Sequence, residues 1–194
     1  IQRSNPKISK KVCLISQNIT GKSLMQEVLH FYPGSQRTLF RKYHIGGCSS
    51  CGFSPDETLA NVCNRNGDLP VDDVLKIIQQ SHDEDKQILI EPVDLQEHLT
   101  NNEDIKLVDI RSREEFEAVH IDGSKMLTQP LMQEILGKWD NNQRFVMIDH
   151  VGKKALDAAA YYLGHGMPNA HALRGGIDAW SVEVDSSIRR YTLS

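Results

Sequence analysis

The chain has 194 residues, with 22 Lys and Arg against 26 Asp and Glu, a formal net charge of −4 and 39% hydrophobic residues. These values are typical of a globular protein with one large or two small domains. The weakly acidic balance argues against a nucleic-acid-binding surface, and the apolar runs are too short to span a membrane. No secretion signal is visible, and we expect a cytoplasmic protein.

All four cysteines lie in the first half of the chain, at Cys13, Cys48, Cys51 and Cys63. Two serines separate Cys48 from Cys51 in a segment of small residues. In a reducing compartment, such a pair indicates redox chemistry or metal binding rather than a structural disulfide. We expect Cys13 to be structural or incidental.

The first half of the chain carries the capping and periodicity signals of successive short helices. These helices are predicted to begin at Ser23, Ser35, Ser54 and Asp68, and the second is predicted to end at Tyr43. We therefore predict an N-terminal extension over residues 1–17 and a small all-helical, cysteine-containing domain over residues 18–82. The polar residues 83–87 are predicted to be a linker.

Apolar runs of strand length alternate with helical segments in the second half of the chain. This alternation predicts an α/β domain over residues 88–182, with a parallel sheet flanked by helices. A tail over residues 183–194 follows it. The strands are predicted at residues 87–90, 107–110, 145–148 and 169–173, and the helices from Asp94, over 129–138 and over 154–165.

A short polar loop joins the strand at residues 145–148 to the helix behind it. A helix N-terminus gathers unpaired N–H groups and favours an anion, and ligands of parallel sheets bind at the carboxyl ends of strands. The first residue of this loop is itself acidic. The candidate active loop consists of Asp149, His150, Val151, Gly152, Lys153 and Lys154.

Three ordered segments, 107–123, 149–154 and 173–180, together resemble a rhodanese (sulfurtransferase-like) domain over about residues 88–182. The resemblance implies an α/β fold whose active loop presents a cysteine that carries sulfane sulfur as a persulfide. Asp149 occupies the position of that cysteine, and Lys154 occupies a position often held by arginine. A carboxylate cannot hold sulfane sulfur. The resemblance therefore implies a rhodanese-like protein without thiosulfate sulfurtransferase activity.

The resemblance also implies supporting roles around the loop. Asp109 and Arg111 follow a buried strand and are expected to support the active loop, either directly or as a structural salt bridge. His120 is expected to order its turn by hydrogen bonding. For Asp149, amides arranged to hold a thiolate would also hold a carboxylate and lower its pKa. Its carboxylate would then be an anion mimic or general base, or only a helix cap left by a lost active site.

The first half resembles the small helical redox-disulfide domain found with hybrid-cluster proteins. Residues 29–33, 48–51 and 57–59 carry this resemblance, which implies a thiol or metal site. His44 and Cys63 could join Cys48 and Cys51 as four ligands of zinc or of an iron–sulfur cluster. Cys63 could instead be a resolving thiol, and His44 and Cys63 could each serve packing alone.

Three functions remain open from the sequence. The leading hypothesis is a non-catalytic rhodanese-like protein that binds or regulates another protein of sulfur or redox metabolism. The first alternative is a thiol–disulfide or sulfur-relay enzyme that uses Cys48 and Cys51. The second is a metal or iron–sulfur protein whose ligands are His44, Cys48, Cys51 and Cys63.

Overall fold

The computed structural model describes residues 19–46 and 52–192. The first part is a helical region, in which α1 spans Met25–Phe31, α2 Ser35–Tyr43, α3 Leu59–Arg65 and α4 Val71–Ile88. The bounds predicted for α2 are confirmed. The apolar faces of these helices meet in one cluster of buried side chains, formed by Ile19, Met25, Val28, Leu39, Ile45, Leu59, Val62, Cys63, Val74 and Ile78.

The start of α3 differs from the prediction, because the helix begins at Leu59 rather than near Ser54. The carbonyl groups of Pro55 and Glu57 accept the N–H groups of Gln26 and Met25, at 2.9 and 2.8 Å. These carbonyls therefore serve the first turn of α1 instead of starting a helix of their own. The capping signal at Ser54–Glu57 belongs to a turn.

The segment predicted as a linker, 83–87, is helical and forms the end of α4. Most of its side chains are exposed, but Asp85 is buried and forms an ion pair with Arg37 of α2. Ile88, the last residue of α4, packs against the core of the following sheet. The polar composition of this segment therefore marks the solvent-facing side of a helix and not a break between regions.

The second part is a parallel sheet flanked by helices, as predicted. Its strands are β1 Leu89–Ile90, β2 Ile105–Asp109, β3 Ser124–Met126, β4 Arg144–Ile148 and β5 Ala170–Leu173, in the order β1-β5-β4-β2-β3. Every pair of neighbouring strands is parallel. The helices are α5 Pro92–Thr100, α6 Arg113–Ala118, α7 Gln129–Lys138, α8 Lys153–Gly164 and α9 Gly176–Glu183.

Two clusters of buried side chains cover the two faces of the sheet. On one face, α7 and α8 contribute residues such as Ile135 and Tyr162 against β4 and β5. On the other face, α5 and α9 contribute Leu95 and Trp180. The sheet is therefore the middle of three layers, which buries the nearly continuous apolar strand β4 on both sides.

Other elements depart from the predictions in their bounds. The predicted strand at 87–90 is reduced to Leu89–Ile90 because α4 continues to Ile88. Helix α5 begins at Pro92 rather than at Asp94, since proline is well suited to the first helical position. Strand β3 was not predicted, because its three residues carry no recognisable periodicity.

Arg37 connects the helical region to the sheet region. Its guanidinium group contacts the carboxylates of Asp85 on α4 and of Asp157 on α8.

The carboxyl ends of β2, β4 and β5 lie at one edge of the sheet, where the loops after Asp109, Ile148 and Leu173 come together. In the described ranges, no helix combines the length and apolar character required to cross a membrane.

Candidate functional site

The loop after β4 is folded around the side chain of its first residue, Asp149. The N–H of Gly152 donates to Asp149 Oδ1 at 2.5 Å, and the N–H of Lys154 donates to Oδ2 at 2.9 Å. Gly152 has φ +84°, which turns the chain into α8. With 3% of its surface exposed, Asp149 is closed off from solvent. Its carboxylate is thus held by the amides at the start of α8.

The expectation that these amides lower the pKa of Asp149 is wrong in direction. Burial raises the pKa of the carboxyl group, and the N–H groups of Lys154 and Gly152 oppose this only in part. The effect of burial is larger because the carboxylate loses contact with bulk water and, among the described residues, has no cationic partner. Asp149 is an acid whose ionised form is disfavoured by the fold.

The raised pKa of Asp149 predicts that this residue makes the stability of the protein depend on pH. The variant Asp149→Asn should remove that contribution. Because the folded-state pKa is above the unfolded-state value, the contribution of this group is fully present below about pH 4. It is lost as the pH rises through the folded-state pKa. Over that pH range, we expect the free energy of unfolding of the wild type, measured by urea denaturation, to decrease relative to that of Asp149→Asn. A difference between the two proteins that is constant with pH would contradict this assignment.

The first turn of α9 holds the loop from the other side. The N–H of Ile177 donates to the carbonyl of Asp149 at 2.9 Å, and the N–H of Asp178 donates to the carbonyl of His150 at 3.1 Å. Gly176, at φ +60°, approaches the loop so closely that a Cβ there would lie 2.6 Å from the His150 carbonyl and would overlap that of Asp149. Only glycine permits this approach.

Asp109 and Arg111 form a buried ion pair at the end of β2. Arg111 Nη2 is 2.6 Å from Asp109 Oδ2, and the side chains are 2% and 0% exposed respectively. Arg111 also donates to the carbonyl of Val119 at 2.7 Å and to the hydroxyl of Tyr191 at 2.8 Å. The pair therefore ties the strand end to the following turn and to the C-terminal tail, and it reaches the active loop through Tyr191.

His120 lies in the turn where the resemblance placed it. Its Nδ1 is 2.9 Å from the carbonyl oxygen of Phe116, and its ring is stacked on the Phe116 ring with centroids 4.4 Å apart. The side chain is exposed. These contacts join the turn to Phe116 of α6, which fits a role in ordering the turn.

The remaining loop side chains face outward. The side chains of Val151, Lys153 and Lys154 are exposed, and the ring of His150 is stacked on that of Tyr191 with centroids 4.3 Å apart and planes 6° from parallel. A groove of about 510 Å³ runs over the loop. It is lined by His150, Val151, Asp178, Arg190, Tyr191 and Thr192.

Sequence reasoning missed the contribution of the tail. Tyr191 donates its hydroxyl hydrogen to Glu115 Oε1 at 2.7 Å while it accepts from Arg111. Burial, assisted by the hydrogen bond to Glu115, raises the pKa of Tyr191 to about 12, so the phenol stays protonated. Tyr191 is the one aromatic residue of a tail without periodicity, and nothing near it in the sequence indicates its partners.

The predicted cysteine site can be followed only in part. Cys13, Cys48 and Cys51 lie outside the described residues. Cys63 is 1% exposed within the core of the helical region, and burial raises the pKa of its thiol, which disfavours a role as an accessible resolving thiol. His44 is exposed and directly follows α2, and its own backbone has φ 57°, in the left-handed region.

Across residues 19–46 and 52–192, no group of three or more His, Cys, Asp or Glu side chains is arranged to hold a metal ion. The dithiol and metal-site hypotheses both require Cys48 and Cys51. They stay predictions.

Comparison with known proteins decides the family. The family model of the rhodanese-like domain matches residues 91–183. The thiosulfate sulfurtransferase GlpE of Pseudomonas savastanoi is 30% identical over 74 residues, which cover 38% of this chain and 70% of that protein. The chain belongs to the rhodanese-like family. This confirms the resemblance to a rhodanese domain that was drawn from the second half of the sequence.

Two further curated relatives are longer proteins, of which this chain spans less than half. The adenylyltransferase and sulfurtransferase UBA4 of Candida albicans is 25% identical over 179 residues, which cover 82% of this chain and 38% of that protein. The chain covers 26% of the probable adenylyltransferase/sulfurtransferase MoeZ of Mycobacterium tuberculosis. The human single-domain sulfurtransferase TSTD1 aligns with a TM-score of 0.45 at 21% identity, over 50% of this chain and 96% of that one.

Proposed function

We propose that this protein is a rhodanese-like binding or regulatory module that does not itself transfer sulfane sulfur. The supporting observation is the Asp149 carboxylate, held by the amides of Gly152 and Lys154 at the position that the family resemblance assigns to the sulfur-carrying cysteine. A persulfide forms when a thiolate attacks a sulfane sulfur, and a carboxylate oxygen has no equivalent stable product.

The composition of the rhodanese-like domain supports the same conclusion. The chain has no cysteine after Cys63, so the domain offers no substitute thiol near the loop. Asp149 also places a negative charge, when ionised, where an anionic sulfur donor such as thiosulfate would need to bind. Like charges at such short range in a buried site repel one another. An ionised Asp149 would therefore disfavour an external anion at the loop.

The class of partner is proposed from the relatives. GlpE is named as a thiosulfate sulfurtransferase, and UBA4 as an adenylyltransferase and sulfurtransferase. We propose that this chain retains the fold for contact with another protein of sulfur or redox metabolism. The exposed Val151, Lys153 and Lys154 at the loop are the residues available for such contact.

The test is sulfur transfer from thiosulfate to cyanide, measured as thiocyanate. We expect the wild type to produce no more thiocyanate than Asp149→Ser, which has a hydroxyl in place of the carboxylate. Asp149→Cys restores a thiol to the loop, and mass spectrometry after incubation with thiosulfate shows whether it gains a sulfur atom. Robust thiocyanate production by the wild type would overturn the proposal.

A further inference from the structure

The last described residues of the chain return to the candidate active loop. Residues 185–192, here called the strap, follow α9 and fold back at Ile188, whose side chain packs in the core cluster that contains Trp180. Ser181 Oγ donates to the carbonyl of Ile188 at 2.6 Å in a buried position. The first half of the strap is therefore fixed to the α9 side of the sheet.

A second contact lies further along the strap. Arg190 Nε and Nη2 are 2.7 and 2.9 Å from the two carboxylate oxygens of Asp178. Asp178 is close to the loop, since its own N–H donates to the carbonyl of His150. The Arg190 side chain is 61% exposed, so solvent screens this ion pair and it holds the strap weakly.

The third contact is made by Tyr191, directly against the loop. Its ring is stacked on that of His150, and its hydroxyl group joins Arg111 to Glu115. Both hydrogen-bond partners are charged groups, which makes these bonds stronger than bonds between neutral groups. Tyr191 is thus the firmest contact between the strap and the loop, and together with His150 and Val151 it lines the groove over the loop.

We propose that the strap is an intramolecular lid, latched by Tyr191 against His150, and that access to the loop at Asp149–Gly152 requires Tyr191 to be released. Asp149 and Gly152 are both buried, and His150 is the loop residue that the Tyr191 ring covers. Release exposes the His150 ring and widens the groove. This regulatory role is separate from the proposed absence of sulfur transfer at the loop, because it depends on the strap contacts and not on the identity of residue 149.

Hydrogen exchange of the full chain tests the lid without altering the loop. In Tyr191→Ala, we expect the amides of residues 149–155 to exchange about tenfold faster than in the wild type, since local opening controls their exchange. Tyr191→Phe retains the aromatic ring but loses both hydroxyl contacts, and we expect an intermediate rate. Arg189→Ala alters an exposed residue of the same strap and is expected to exchange like the wild type.

A second measurement distinguishes opening of the lid from loss of the whole fold. With Asp149→Cys as a reporter, alkylation by iodoacetamide is followed at each cysteine by mass spectrometry, with and without Tyr191→Ala. We expect faster labelling at position 149 and unchanged labelling of the buried Cys63. Equal acceleration at both positions would make the strap a structural element only. Unchanged exchange at residues 149–155 in both Tyr191 variants would also overturn the lid.

Discussion

Replacing Arg111 with alanine is expected to destabilise the fold by about 3–5 kcal/mol, because the variant leaves a buried charge without its partner. Asp109 is fully buried, and Arg111 is its ion-pair partner. The substitution also removes the donors to the Val119 carbonyl and to the Tyr191 hydroxyl. Urea denaturation of the variant and the wild type measures the difference in the free energy of unfolding.

The matched control is Arg113→Ala, two residues away on the exposed surface of α6. It also removes one arginine, and we expect a change within about 0.5 kcal/mol. The double variant Asp109→Asn with Arg111→Ala removes both charges of the pair, so it should cost less than the sum of the two single variants. A loss below about 1 kcal/mol for Arg111→Ala would mean that the pair is not the buried support described above.

Replacing Gly176 with alanine is expected to destabilise the protein by about 2–5 kcal/mol, by combining backbone strain with steric overlap. The residue has φ +60°, and a Cβ there would meet the backbone carbonyls of Asp149 and His150. Neither carbonyl can rotate away as a flexible side chain could, since both accept hydrogen bonds from the start of α9. Thermal and urea denaturation measure the loss.

Gly123→Ala separates the two causes. Gly123 has φ +81°, but a Cβ there would meet nothing within 4 Å. We expect this variant to lose only the strain energy, about 1–2 kcal/mol. If Gly123→Ala and Gly176→Ala were equally destabilising, close packing of α9 against the loop would not be the reason for glycine at position 176.

Elements with strong local signals could be predicted from the sequence with accurate bounds. Helix α7 forms over Gln129–Lys138 as predicted, and the Thr128 hydroxyl caps its first turn. Helix α2 also has its predicted bounds, and its Phe40 is exposed. Where tertiary contacts decide the structure, the local pattern fails. The polar end of α4 stays helical because Asp85 is paired with Arg37 and Ile88 is packed against the sheet.

The position of the site was predictable, whereas its electrostatics were not. The strand–loop–helix pattern placed Asp149 at the start of α8, where its carboxylate accepts the Lys154 N–H. The direction of its pKa shift depends on burial, which in turn depends on Gly175 and Gly176 closing over the loop. Tyr191 is 80 residues from Arg111 along the chain, and only the folded tail brings the two together.

The connection between the helical region and the sheet determines how the molecule can move. Helix α4 ends at Ile88 and β1 begins at Leu89, so no irregular residue separates them. Arg37 holds α2 to both α4 and α8. Many proteins with two regions change the distance between their sites by a hinge rotation of one region relative to the other. In this chain, such a rotation would require the last turn of α4 to unwind and the ion pairs of Arg37 with Asp85 and Asp157 to break.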